Sequence, residues 1–213
     1  MSNMKEIFQA VLEGDRETTV QLTQVAVDSG VEANDILQNG LIAAMLEVGH
    51  QFEEGEYYVP EMLVSARAMQ GALDILKPLL VQSGIEPIGK VIIGTVKGDL
   101  HDIGKNLVAM MLEGAGFKIQ DLGIDVAPEK FVEAIQNDPN VDIVGLSALL
   151  TTTMPSMDAT IKAIDEAGLR SRVKIMVGGA PVTTNYAQKI NADGFAPDAG
   201  QAVTLAKSLL GGK

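Results

Sequence analysis

No cysteine and no tryptophan occur in the chain, and histidine occurs only twice. The missing thiols exclude disulfides, thiolate zinc sites, iron–sulfur clusters and cysteine nucleophiles together. Any metal must then be held by His, by carboxylate, or mainly by its own organic ligand. Apolar runs of the roughly 18 residues that a membrane span needs are also missing. The opening Met1-Ser2-Asn3-Met4-Lys5-Glu6 lacks the basic-then-apolar order of a secretion signal. The expectation is a cytoplasmic protein with no membrane association. Basic residues are scarce too: the net charge of −12 argues against nucleic acid, whose backbone calls for clustered Lys and Arg.

What is present is apolar material, 46% of 213 residues, enough for one or two buried cores. Charge is distributed unevenly. Residues 1–88 carry 4 basic and 14 acidic side chains, net −10, whereas residues 89–213 carry 12 and 14, net −2. That step predicts a domain boundary. The acidic half reads either as a solvated surface or as a means of steering partner proteins.

The first 82 residues have helical periodicity. Ile7, Val11 and Leu12 make a short apolar face, and Asp15 is placed to cap a second helix carrying Val20, Leu22, Val25 and Ala26, which Gly30 ends. A third helix is expected from about Asn34 to Phe52. A fourth starts at Pro60 and runs through Met62, Leu63, Ala66, Met69, Leu73 and Leu76. Four helices with short connections imply a four-helix bundle over 1–82, followed by a linker over 83–89. From Lys90 to the end, 90–213, the pattern alternates. Strands are expected at Val91–Val96, Phe117–Leu122, Asp142–Leu146, Val173–Val177 and Asp193–Ala196, each followed by a helix. Such regularity implies an α/β, flavodoxin-like (Rossmann-like) five-stranded parallel sheet in the order 2-1-3-4-5.

That order fixes where a ligand belongs: beyond the carboxyl ends of the strands, where the order reverses between strands one and three. The loops in question are 97–104 and 147–153. The first holds Gly98-Asp99-Leu100-His101-Asp102-Ile103-Gly104. A carboxylate two residues before an imidazole fixes the tautomer, orients the ring and raises its basicity as a metal ligand. Two readings remain at this point: Asp99 caps a helix beside an idle His101, or His101 is a single axial ligand. His50 and His101 fall in different expected domains, so a zinc site built from two or three histidines is disfavoured. A metal inside a macrocycle needs only one imidazole, because the ring supplies four equatorial nitrogens.

Asp99-x-His101-x-x-Gly104, Ser147-x-Leu149 and Gly178-Gly179 together resemble the three signatures of the B12-binding domain family, in order. Gly55-Glu56-Tyr57-Tyr58-Val59-Pro60-Glu61-Met62-Leu63 and Ser65-Ala66-Arg67-Ala68-Met69 are similar to the cap domain of methionine synthase and of corrinoid proteins of methanogens and acetogens. The resemblance spans essentially the whole chain. It is closest to stand-alone corrinoid proteins that serve methanol, methylamine, glycine betaine or methoxyaromatic methyltransferases.

The resemblance implies cobalamin or a related corrinoid, with the nucleotide tail buried in the sheet domain and His101 as axial ligand to cobalt. Asp99 becomes the ring's hydrogen-bond partner and Thr153 the relay hydroxyl. Gly98, Leu100, Asp102, Ile103 and Gly104 face the corrin. Ser147, Leu149, Thr151, Gly178 and Gly179 line the tail pocket, with Phe195 and Asp198 at its end. The glycines are expected there because a flat base and a phosphate need close backbone approach. Tyr58 and Met62 cover the upper face. The implied function is a methyl carrier, accepting a methyl group on Co(I) from a substrate:corrinoid methyltransferase and passing it as methyl-Co(III) to a corrinoid:tetrahydrofolate (or coenzyme M) methyltransferase. A reductive activase is a further implied partner. The alternative is a cobalamin-binding sensor, although such proteins usually add a DNA-binding domain that this chain lacks. An adenosylcobalamin mutase subunit would need a barrel supplied by another chain. A flavodoxin or response regulator fits the fold but not the loops, since Ser147 stands where the latter places its acidic phosphoacceptor.

Overall fold

The structure, a computed structural model, describes residues 2–83 and 86–211. It divides into two compact units, Met1–Pro87 with Gly114–Gly116, and Ile88–Glu113 with Phe117–Lys213. Gly84 and Ile85, in the expected linker, lie outside the described residues. Among the described residues no helix is long and apolar enough to cross a membrane.

The first unit contains α1 (Ser2–Leu12), α2 (Arg16–Asp28) and α3 (Ala33–Asp35). α3 runs on through a π-helical stretch, Ile36–Ile42, into α4 (Ala43–Glu53), and α5 (Val59–Gln82) follows. The Asp15 carboxylate caps α2, accepting from the Thr18 N–H at 3.0 Å and its hydroxyl at 2.7 Å. Gly30, at φ +79°, closes the other end. Its N–H donates to the Val27 carbonyl and the Val31 N–H to that of Ala26, at 2.9 and 3.0 Å. Ile7, Val11, Ile36, Leu41, Met45, Val48, Met62, Met69 and Leu76 form the core.

Two expectations for this unit need correction. α2 buries Thr19, Thr23 and Ala26, while Val25 is 51% exposed and Val20 and Leu22 are half-buried. Close helix packing is the reason: a Cβ on Gly71 of α5 would come within 2.8 Å of Val20 Cγ2, so slim side chains face inward. Buried Thr19 satisfies its hydroxyl within its own helix, on the Asp15 carbonyl at 2.6 Å. The third helix is present but not uniformly α, because the π stretch widens it. Apolar spacing does not register such widening.

In the second unit β1 (Lys90–Thr95), β2 (Lys118–Asp121), β3 (Ile143–Ser147), β4 (Lys174–Gly178) and β5 (Gly194–Ala196) are all parallel. Their order is β2-β1-β3-β4-β5, as expected. Between them run α6 (Ile103–Gly114), α7 (Pro128–Asn137), α8 (Pro155–Glu166) and α9 (Thr184–Lys189), and α10 (Ala199–Leu209) follows β5. Ile92, Phe131, Ile135, Val144, Ile161, Ile164 and Val177 belong to one buried cluster. Gly94 admits the Phe131 ring, which a Cβ there would approach to 2.8 Å. β3 and β4 run one residue beyond their expected ends. Ser147 and Gly178 are therefore the last strand residues, paired with each other, and Ser147 pairs with Thr95 on its other side. The loops leaving β1, β3 and β4 consequently open along one sheet edge.

Candidate functional site

At that edge β1 ends, and the chain turns through Gly98 at φ +87°, a left-handed conformation suited to glycine. The turn sends Asp99 inward, where it has no exposed surface. Isolated, a buried carboxylate is very costly, but here five donors converge on it. Oδ1 accepts from the His101 N–H at 3.1 Å and lies 2.7 Å from His101 Nδ1. Oδ2 accepts from the Leu149 N–H at 2.8 Å, the Leu150 N–H at 3.3 Å and the Thr153 hydroxyl at 2.6 Å. Burial alone would raise the Asp99 pKa, but the hydrogen bonds from Thr153, His101 and Leu149 outweigh it and hold the group well below the usual carboxylate range.

An ionised Asp99 accepts the Nδ1 proton, so the lone pair of His101 lies on Nε2. The ring is half exposed, and the Thr95 hydroxyl fixes its backbone by donating to the His101 carbonyl at 2.9 Å. Among the described residues Nε2 has no protein partner. Around the ring the loops expose large apolar side chains against the usual pattern: Leu100 at 66%, Ile103 at 73%, and Leu149 and Leu150 less so. At Gly104 a Cβ would meet open space. No group of three or more His, Asp or Glu side chains is gathered to hold a bare ion among the described residues. One basic nitrogen presented from an apolar surface suits a metal that brings its own equatorial donors in a broad, flat ring.

The structure brings Asp99, His101, Leu149 and Thr153 together by these bonds. Ser147 is half-buried at the end of β3 and its hydroxyl has no partner among the described residues, while Thr151 is exposed. Asp102 is held by Asn106, whose amide donates to it at 3.1 Å. The glycine pair has a reason beyond ligand access. Gly179 has φ +123°, and a Cβ there would lie 1.9 Å from the Ala148 carbonyl oxygen; one on Gly178 would lie 3.2 Å from that of Ala196. The loops from β3 and β4 are thus pressed backbone to backbone. The Asp198 carboxylate caps α10, accepting from the Gln201 N–H at 2.8 Å and its side-chain amide at 2.7 Å. Phe195 packs half-buried against the sheet core. In the helical unit Tyr58 is exposed, whereas Met62 is wholly buried.

Sequence reasoning missed four residues that hold this edge together. Thr95 is one. Tyr186 donates its hydroxyl to the Met154 carbonyl at 2.6 Å, bracing the chain next to Thr153. Lys105 is buried, with its ammonium on Asn106 at 2.6 Å and on Asp121. Its spacing from Val108 and Leu112 marked it as a lysine on an apolar face. Asp125, in the loop after β2, carried no signal beyond that of a turn residue.

Two family models, each described as a B12 binding domain, match residues 89–204 and 4–77. The chain belongs to the B12-binding corrinoid proteins. A corrinoid is therefore its cofactor, in keeping with the lone imidazole and the apolar loops. A corrinoid protein of Desulfitobacterium hafniense is 42% identical over 99% of both chains. Dimethylamine corrinoid protein 1 of Methanosarcina acetivorans is 40% identical over 97% of both. The crystal structure of the methanol:cobalamin methyltransferase complex of Methanosarcina barkeri contains a similar chain, with TM-score 0.86 and 27% identity, covering 100% of this chain and 81% of that one.

Proposed function

We propose that this protein is a methyl carrier. It takes methyl groups from a substrate:corrinoid methyltransferase of the methylamine or methanol type and delivers them to a second methyltransferase acting on tetrahydrofolate or coenzyme M. A reductive activase restores the carrier when it is oxidised. The observation that carries this reading is His101, half exposed with Nδ1 on buried Asp99 and Nε2 unpartnered among the described residues. Relatives that match nearly end to end include dimethylamine and trimethylamine corrinoid proteins, which supports the methylamine class of donor.

When bound, the corrinoid supplies the nucleophilic metal centre for methyl transfer. The chain's own residues bind, orient and shield. His101 would hold the metal through Nε2. Asp99 holds the ring's Nδ1 proton, and Thr153 steadies the carboxylate from its far side. Ser147, Thr151, Gly178 and Gly179 would receive the nucleotide tail, and Tyr58 and Met62 belong to a cap formed by residues 1–82. Residues 83–89 link that cap to the binding domain, 90–213. A cytoplasmic location follows from this role, because the activase needs a strong reductant.

The test is transfer itself. The reconstituted, reduced protein is mixed with dimethylamine, trimethylamine or methanol and the matching substrate methyltransferase. Methylation of the bound corrinoid, followed spectroscopically, is expected with at least one pair. Absence of methylation with all three overturns the proposal.

A further inference from the structure

Asp125 lies outside every motif that carries the family resemblance, yet it contacts the ligand loop from two directions. Its φ is +52°, and only Asn191 shares a positive value among the described non-glycine residues. Asp tolerates this conformation better than most residues but adopts it seldom without support. Here the support is the ligand loop itself. The Asp125 N–H donates to the Asp99 carbonyl at 3.0 Å. Its carboxylate accepts from the Gly98 N–H at 2.8 Å and from the Lys97 ammonium at 3.0 Å. These bonds fix the Lys97–Gly98 and Asp99–Leu100 peptide units, which flank the unit joining Gly98 to Asp99, around the most freely rotating point between β1 and His101. The far end of the same loop is tied to the same stretch, through buried Lys105 on Asp121. Asp121 in turn accepts from the Gly123 N–H at 2.8 Å.

We propose that Asp125 is a positioning residue. By fixing the backbone of Gly98 and Asp99 it aligns the Asp99 carboxylate with His101 Nδ1, and so sets how firmly His101 holds the metal. The inference rests on His101 being the axial ligand.

The full chain is reconstituted with cob(II)alamin and examined by electron paramagnetic resonance, in which an axial imidazole splits each cobalt line through its nitrogen. Asp125→Gly keeps the left-handed backbone available and removes the acceptor, so it separates positioning from strain and favours folding. Its ratio of ligated to unligated cobalt is expected to fall roughly fivefold to tenfold, the size of one hydrogen bond on a partly exposed group. In Asp125→Asn the amide oxygen accepts from Gly98 in the same way, and the ratio should stay within about twofold of the parent. Without cofactor, the downfield Nδ1–H proton resonance of His101 should persist in Asp125→Asn and broaden by exchange in Asp125→Gly. A parent-like ratio in Asp125→Gly overturns the inference, as does an equal loss in Asp125→Asn. Nitrogen splitting that survives in His101→Ala would instead overturn the ligand assignment and leave the Asp125 bonds to the proton resonance.

Discussion

Asp99 is a carboxylate with no exposed surface, kept ionised because both oxygens are fully occupied by donors. Stability at this residue is therefore linked to pH. Burial opposes its charge, and the hydrogen bonds more than offset burial, leaving the folded-state pKa below the unfolded value of about 4. A group shifted in this direction contributes stability above its unfolded pKa and loses it as pH falls toward the folded value. Denaturant unfolding should accordingly show decreasing stability as pH drops below about 4. Thr153→Val removes the hydroxyl while keeping the shape. It should cost about 1.5–3 kcal/mol near neutral pH, the range for a hydrogen bond to a charged partner, and flatten the acid slope, whereas Thr153→Ser should retain both. A slope unchanged in the valine variant would show that this bond does not hold Asp99 ionised.

Elements place the residues, and much of that placement was legible. Alternation of buried-strand runs with amphipathic helices set the parallel sheet and its order, which alone directed attention to loops 97–104 and 147–153. Asp99 and His101 were legible because their spacing has a chemical reason. Asp125 was not, since its role depends on a left-handed backbone and on a neighbouring loop 27 residues away in sequence. The π stretch Ile36–Ile42 was hidden because its apolar residues satisfy α-helical spacing as well. Thr19 and Thr23, facing inward on α2, contradict the rule that the apolar side of a helix is its buried side. Packing in the sheet unit is testable at Phe131, which is fully buried and fills the space left by Gly94. Phe131→Ala should lower unfolding free energy by about 3–5 kcal/mol. Gly94→Ala should also destabilise, because its methyl enters the same ring. Near-native melting of both would contradict the packing described for β1 and α7.

For the whole molecule, the distribution of charge is the feature that bears on partners. Residues 1–88 carry a net −10, enough to bias encounters with oppositely charged faces of partner enzymes. The rate at which the substrate methyltransferase methylates the carrier should fall as salt rises from about 0.05 to 0.5 M, as screening shortens the reach of these charges. A salt-independent rate would confine the acidic surface to solubility.

The central claim is that a single imidazole, aimed by a buried carboxylate, ligates the metal of a corrinoid. Its most direct measurement is the absorption spectrum of the protein reconstituted with methylcobalamin, beside that of His101→Ala. The account predicts a histidine-ligated spectrum in the parent and an unligated one in the variant at equal cofactor content. The same histidine-ligated spectrum in both would contradict it.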